Sequence, residues 1–142
     1  NSRFGAPERQ VMMTRLESEL AAIKMECTKG ELDSVDANFA SDTALTVVMA
    51  AKGYPGTPEK GGAIDLGEAE SAGAKVFHAG TKRAEDGTLI ANGGRVLNVT
   101  ATGANVTAAK GAAYEAVANV DFPSGFYRSD IGWKEVAREA DQ

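Results

Sequence analysis

The first ten residues, NSRFGAPERQ, gather polar side chains around a Gly-Ala-Pro turn. Arg3 stands two positions after Asn1, so on a strand both side chains would point to the same side. The planar guanidinium of Arg3 suits a phosphate or a carboxylate, although a salt bridge to Glu8 is the alternative. Glu8 could itself bind substrate, or it could simply be favoured by the helix dipole in a first helical turn. The stretch therefore predicts the interior of a polar site.

Two later stretches carry further candidates. In HAGTK, Thr81 and Lys82 follow a small-residue turn and could face a ligand cleft or serve the turn alone. His78 is the only histidine, which is more typical of a hydrogen-bonded structural residue than of a base, and it leaves no transition-metal ligand set. In YRSDIG, Arg128 and Asp130 are spaced to pair with each other or to line the rim of an active site.

Composition excludes several classes of protein. The formal net charge is −5, the basic residues form no run, and only 6% of residues are aromatic, which argues against a nucleic-acid groove. No apolar run approaches the roughly 20 residues of a membrane span, and no secretory apolar region is visible. The single cysteine, Cys27, permits no internal disulfide. We therefore expect a soluble, cytoplasmic protein without nucleic-acid or membrane partners.

The elements that must position the candidates begin with helices. Pro7 suits a first helical turn, Ser18 is the expected cap of a second helix, and Gly30 is the expected stop. Apolar residues at helical spacing are Val11, Met12 and Leu16, then Leu20, Ile23 and Cys27. The pattern of the residues up to position 30 therefore predicts two short helices or one kinked helix.

A sheet and a long helix follow. TALTVVMAA (residues 43–51) predicts a strand buried on both faces, KVFHA and RVLNVTA predict further strands, and Asn92-Gly93-Gly94 predicts a hairpin between TLI and RVL. Asn105 is the expected cap of a long helix, and WKEVAREA predicts a short final one. The apolar stripe of the long helix is Val106, Ala109, Ala113, Val117 and Val120. The predicted fold class is α+β: a curved, mostly antiparallel sheet with one long packed helix, preceded by a helical segment.

Six stretches together carry a family resemblance. NSRFGAPERQ resembles the Asn-x-Arg-Phe-Gly-Asp-Pro-Glu-x-Gln signature of the phosphoribosylamine–glycine ligase family, also called glycinamide ribonucleotide synthetase. The stretches TALTVVMAAKGYPG, EKG, KVFHAGTK, NGGRVLNVTATG and GFYRSDIGW resemble further blocks of that family, in its order and spacing. Each block alone is a weak signal, whereas the set in register is specific and covers nearly the whole chain.

The resemblance implies a fold and an activity. Residues 1–40 would be the C-terminal end of an ATP-grasp core, and residues 41–142 the C-terminal α+β domain of the ligase. Full-length members join glycine to 5-phosphoribosylamine at the expense of ATP, through a glycyl phosphate intermediate, in de novo purine biosynthesis. They require Mg²⁺ (or Mn²⁺) to neutralise phosphate charge. The implied partners are these small molecules and the remaining N-terminal and ATP-grasp domains of the same enzyme.

The resemblance also assigns residues. Asn1 matches a metal-binding asparagine, because hard cations accept an occasional amide oxygen among carboxylates. The implied substrate-binding residues are Arg3, Gly5, Pro7, Glu8, Thr81, Lys82, Arg128 and Asp130. No catalytic residue is expected in this chain alone, and we expect it to be inactive and to bind no cofactor by itself.

One position departs from the family pattern. Ala6 stands where the signature has aspartate, so the turn lacks a carboxylate that could accept a hydrogen bond. The departure leaves a second hypothesis open, namely a non-catalytic, stand-alone module derived from the ligase that binds a metabolite or a partner protein. The beginning at Asn1, without an initiator methionine, predicts a fragment, but a natural short protein stays open as an alternative.

Overall fold

A computed structural model describes residues 5–71 and 73–141, and it begins with two short helices. Helix α1 spans Glu8–Arg15 and helix α2 spans Leu20–Lys29, followed by a 3₁₀ turn at Leu32–Ser34. Gly30 ends α2 with φ of 78°, a left-handed conformation that glycine adopts without steric cost. The prediction of two helical segments is confirmed, as is the stop at Gly30.

The prediction that Ser18 caps α2 was wrong. Helix α2 begins at Leu20, and its N-cap residue is Glu19, which makes no side-chain capping bond. The hydroxyl of Ser18 instead donates to the Asp36 carbonyl and accepts from the Asn38 amide at 2.7 Å. Ser18 therefore ties the helices to the segment that leads into the sheet, a partner that cap preference alone does not anticipate. Pro7 likewise lies just before α1 as its cap residue, not within its first turn.

The main sheet has four antiparallel strands in the order β2-β5-β1-β6. The strands are β1 (Thr43–Ala51), β2 (Lys75–His78), β5 (Arg95–Gly103) and β6 (Gly125–Tyr127). The central strands β1 and β5 pair from Thr43↔Gly103 to Met49↔Leu97, with an irregularity between Met49 and Ala50. The predicted antiparallel α+β fold is confirmed.

The hairpin predicted at Asn92–Gly94 was wrong. Strand β4 (Leu89–Ala91) pairs with β3 (Thr81–Arg83) in a separate two-stranded sheet and not with β5. The Asn92 amide donates to the Gly80 carbonyl at 2.7 Å, so the chain crosses over the β2–β3 turn instead of folding back. Residues 92–94 therefore connect β4 of the two-stranded sheet to β5 of the four-stranded sheet.

Helix α3 (Val106–Ala118) covers one face of the large sheet. The Asn105 side chain accepts from the Ala108 amide at 2.8 Å, which confirms it as the cap. The core beneath this helix combines Leu45, Val47, Met49, Leu97, Val99 and Ala101 with Ala109, Ala113, Ala116 and Val117. Because the helix face is mostly alanine, its backbone approaches the sheet closely.

The other face of the sheet is less completely covered than expected. In β5 the residues on this face, Asn98 and Thr100, are fully buried, and α1 contacts both central strands. In β1 the corresponding residues Ala44, Thr46 and Val48 are only half-buried, so burial of β1 on both faces was too strong an expectation. The Thr100 hydroxyl donates to Thr46 Oγ1 at 2.7 Å across the two strands.

The chain closes with helix α4 (Trp133–Ala140), which contacts α3 and confirms the predicted final helix. The Glu139 carboxylate accepts from the Val106 amide at 2.7 Å and from the Thr107 hydroxyl at 2.8 Å. Glu139 thereby caps the start of α3. No helix within residues 5–71 and 73–141 is both long and apolar enough to cross a membrane.

Candidate functional site

The Gly-Ala-Pro turn is held at the start of α1. The Arg9 amide donates to the Gly5 carbonyl at 3.0 Å, and the Gln10 amide donates to the Pro7 carbonyl at 3.1 Å. Glu8 is exposed in the first helical turn, and its Oε2 would lie 3.5 Å from a Cβ added at Gly5. The carboxylate thus lies over the turn, where the helix dipole favours it. Asn1 and Arg3 lie outside the described residues.

Arg95, the first residue of β5, reaches this turn. Its Nη1 donates to the Ala6 carbonyl at 2.7 Å, across 89 residues of sequence. Arg95 was not among the site residues predicted from the sequence. The local sequence shows a cationic residue directly after Gly93 and Gly94, which is a weak indication of a site. The Ala6 position, where the resemblance implies aspartate in the family signature, therefore lies beside a guanidinium. An aspartate here would add a carboxylate to a turn that already holds a cation.

The predicted Thr81 and Lys82 are the first two residues of β3, directly after the β2–β3 turn. His78 Nδ1 and Thr81 Oγ1 are 2.9 Å apart, so the histidine is hydrogen-bonded within its own turn. A Cβ added at Gly80 would lie 2.5 Å from the Arg95 carbonyl oxygen. The turn is therefore packed directly against the start of β5, and Lys82 in the following strand is exposed.

A third loop completes this end of the sheet. The Tyr54 ring packs on Gly94, where an added Cβ would be 2.5 Å from Cδ2 of the ring. The Ala51 amide donates to the Gly94 carbonyl at 2.9 Å, which fixes the loop to the end of β1. We call this region the loop junction, defined as residues 5–8, 78–82 and 92–95. Its exposed Lys82 and Arg95 suit anionic groups, because guanidinium and ammonium donors bind phosphate and carboxylate.

Arg128 and Asp130 lie elsewhere. They form a two-pronged ion pair with distances of 2.8 and 2.7 Å, which raises the pKa of Arg128 and lowers that of Asp130 through their mutual hydrogen bonds. The Tyr114 hydroxyl donates to the Arg128 carbonyl and accepts from the Ile131 amide. The loop then passes Gly132, where an added Cβ would be 2.9 Å from Leu45.

Strand β6, which leads into the pair, and strand β2, which leads into the β2–β3 turn, form opposite edges of the four-stranded sheet. The pair therefore lies at the other edge of the sheet from the turn that precedes Thr81 and Lys82. An open pocket of about 300 Å³ lies beside it, lined by residues 128 and 130–135. The geometry matches the interpretation of a self-satisfied loop pair, and a substrate role for Arg128 and Asp130 stays a prediction.

The described residues do not fit a divalent metal. Within residues 5–71 and 73–141 no three His, Cys, Asp or Glu side chains converge to hold an ion. Asn1, the predicted metal ligand, lies before the described range. No step of a reaction is therefore assigned to a metal held by this part of the chain.

An apolar groove lies between the two first helices. It has a volume of about 380 Å³ and is lined mainly by Met12, Met13, Leu16, Leu20, Ile23 and Phe39. Neither α1 nor α2 contains a buried residue, and Phe39 is 42% exposed. The apolar residues predicted for these helices are half-buried, apart from the exposed Cys27, so the rest of the described chain covers the two apolar faces only in part.

Comparison with known proteins gives one consistent result. Residues 44–134 match the family model described as phosphoribosylglycinamide synthetase, C domain. The chain is 54% identical over 141 residues to a phosphoribosylamine–glycine ligase of Brucella melitensis, covering 98% of the chain and 33% of the relative. It is 49% identical over 142 residues to the chloroplastic enzyme of Arabidopsis thaliana, covering 27% of that protein.

A solved structure agrees with these relatives. The crystal structure of phosphoribosylamine–glycine ligase from Thermotoga maritima superposes with a TM-score of 0.77 at 37% identity, over 92% of this chain and 32% of that one. The chain thus spans about a third of the length of the relatives that it matches.

Proposed function

The chain belongs to the phosphoribosylglycinamide synthetase family through its C domain, and from this premise we propose that it is the C-terminal third of a phosphoribosylamine–glycine ligase. The observation that carries the proposal is the 54% identity over 98% of the chain to a protein of that name. The complete enzyme would act in purine biosynthesis. It would join the glycine carboxylate to the amine of 5-phosphoribosylamine.

The proposed reaction has two steps. A glycine carboxylate oxygen attacks the γ-phosphorus of ATP, which forms glycyl phosphate and releases ADP. The amine nitrogen of 5-phosphoribosylamine then attacks the glycyl carbonyl carbon, inorganic phosphate leaves, and the amine gives up one proton. The products are glycinamide ribonucleotide, ADP and phosphate, so atoms and charge balance.

The loop junction is the region of this chain that we assign to substrate. Thr81 and Lys82 begin strand β3 directly after the β2–β3 turn, and Gly5, Pro7 and Glu8 belong to the turn at the start of α1. Arg3 and Asn1 precede that turn and belong to the same proposed site. The carboxylate of glycine and the phosphate of 5-phosphoribosylamine are both anions, and Lys82 supplies an exposed cation for one of them.

ATP and Mg²⁺ (or Mn²⁺) are assigned to the complete protein. When bound, the metal would neutralise phosphate charge during transfer. The described residues offer no set of ligands for it, so most ligands must come from the rest of the enzyme, with Asn1 as the proposed contribution of this chain. We accordingly expect the 142-residue chain alone to be inactive.

The apolar groove supports the proposed domain division. Helices α1 and α2 lack buried residues, and the family match begins only at Ala44. We infer that residues 1–40 complete an ATP-grasp core formed by the preceding part of the polypeptide, and that residues 41–142 form a separate C-terminal domain. The partners of the chain would therefore be the other domains of its own enzyme.

The cellular compartment is a further part of the proposal. A cytoplasmic location agrees with the single, exposed Cys27, since disulfides form and persist mainly in exported proteins. The Arabidopsis relative is named as chloroplastic, so the compartment can differ among relatives with this fold.

The decisive assay compares two proteins. The complete gene product that contains this chain should form glycinamide ribonucleotide only when glycine, 5-phosphoribosylamine and ATP are all present. The 142-residue chain should give no product above a no-enzyme control.

Absence of product with the complete protein would favour the second candidate, a stand-alone module that binds a metabolite or a partner chain. The Ala6 departure from the family signature is the observation behind that candidate. Product formation by the 142-residue chain alone would refute the proposal that catalysis requires the other domains of the enzyme.

A further inference from the structure

We propose that Arg95 is a positioning residue, whose guanidinium holds the Gly5–Pro7 turn in place at the loop junction. The inference rests on the proposed function, because its consequence for catalysis requires that the turn belong to the substrate site. The hydrogen bond from Arg95 to the Ala6 carbonyl joins two parts of the chain that are 89 residues apart.

The base of the Arg95 side chain is rigid. A Cβ added at Gly80 would lie 2.5 Å from the Arg95 carbonyl oxygen, so the β2–β3 turn packs tightly against the backbone of residue 95. The preceding Gly94 is bonded to the Ala51 amide at 2.9 Å and lies against the Tyr54 ring. A long side chain that extends from such a fixed point can hold its target at a defined place.

The turn itself is otherwise joined to its own helix. The Arg9 amide donates to the Gly5 carbonyl and the Gln10 amide donates to the Pro7 carbonyl, and α1 then contacts the sheet through half-buried residues. These bonds fix the turn relative to α1. The charge-assisted bond from Arg95 to the Ala6 carbonyl fixes the turn relative to the start of β5, where the loop junction is assembled.

Arg83 provides a matched control. It is also exposed, and its Nη1 donates to a backbone carbonyl at 3.0 Å, but that carbonyl belongs to Gly87 of its own β3–β4 hairpin. The two arginines thus make the same kind of bond, one within a hairpin and one between distant segments. Only the second bond can position the Gly5–Pro7 turn.

The first test uses the complete protein and amide hydrogen exchange measured by NMR. In Arg95→Gln the Arg9 amide, which bonds to the Gly5 carbonyl, should exchange roughly tenfold faster, as expected for loss of one charged hydrogen bond. In Arg83→Gln the same amide should exchange at the wild-type rate. Equal exchange of the Arg9 amide in wild type and Arg95→Gln would overturn the proposal.

The second test uses the complete ligase and separates positioning from folding. Arg95→Gln should lower kcat by roughly tenfold or more while the melting temperature and the KM for ATP stay close to wild type. Arg95→Lys keeps the charge but loses the planar fork, so it should recover only part of kcat. Arg83→Gln should match wild type.

The outcomes separate this inference from the proposed function. If the complete wild-type protein makes no product, the proposed function fails, and the exchange experiment still decides whether Arg95 holds the turn. If the wild type is active and Arg95→Gln has unchanged kcat, the positioning role is wrong although the ligase assignment stands. An equal loss of kcat in Arg83→Gln would show a general effect of removing surface charge and would also overturn the proposal.

Discussion

Substitution of Gly80 by alanine tests the packing that builds the loop junction. An added Cβ would lie 2.5 Å from the Arg95 carbonyl oxygen and 3.0 Å from the Gly93 Cα, and both are backbone atoms. A Cβ normally makes contacts of at least about 3.4 Å, so the two loops would have to separate by close to an ångström. That movement would strain the 2.7 Å hydrogen bond from the Asn92 amide to the Gly80 carbonyl.

The expected cost follows from this crowding. Forcing an extra methyl group into packed backbone costs about 1–3 kcal/mol of the free energy of unfolding. Gly111→Ala is the matched control, because Gly111 lies within α3 with no atom within 4 Å of its added Cβ. That substitution should stabilise the protein by about 0.5–1 kcal/mol, since glycine is a poor residue in a helix interior.

Urea unfolding followed by circular dichroism measures both free energies on the same chain. We expect the two glycine variants to move in opposite directions from wild type. A Gly80→Ala protein within about 0.5 kcal/mol of wild type would refute the close packing of the two loops. A destabilised Gly111→Ala protein would instead show that the outer face of α3 is covered.

Three further predictions concern the supports of α3 and of the 128–131 loop. Asn105→Ala removes the cap of α3 and should cost about 1 kcal/mol, a fall of roughly 3–5 °C in Tm by calorimetry, whereas an unchanged Tm would contradict the capping role. The pKa of Glu139 is lowered, chiefly because the Val106 amide donates to its carboxylate. Its contribution to stability is therefore present above the unfolded pKa of about 4.3 and is lost as pH falls through the lower folded value. Glu139→Gln should remove that part of the pH dependence of Tm, and an identical profile would argue against it. Tyr114→Phe removes a hydroxyl bonded to two backbone groups, so the Ile131 amide should exchange faster, and unchanged exchange would count against the Tyr114 anchor.

Local patterns predicted most of the elements. The continuous β-branched run at 43–51 became β1, and Asn105 with the stripe Ala109, Ala113 and Val117 became α3. These signals are reliable because cap chemistry and apolar periodicity act over a few residues of the same segment. The pairing of Arg128 with Asp130 is short-range in the same sense.

Long-range partners could not be predicted in this way. Asn92–Gly94 was predicted to form a hairpin because its residues suit tight turns, but turn chemistry does not say which strand pairs with which. Ser18 has the side chain of a helix cap, yet its hydroxyl bonds to residues 36 and 38. The contact between Arg95 and Ala6 has no local signature at all, since it depends on the crossing of the chain between two sheets.

The central claim, that this chain is the C-terminal part of a phosphoribosylamine–glycine ligase, is tested most directly by product analysis of the complete protein. Mass spectrometry of a reaction with isotopically labelled glycine should show the label in glycinamide ribonucleotide, together with one ADP for each product formed. Omission of 5-phosphoribosylamine should abolish the labelled product. Failure of the complete, folded protein to incorporate glycine would contradict the account, as would incorporation that does not require ATP.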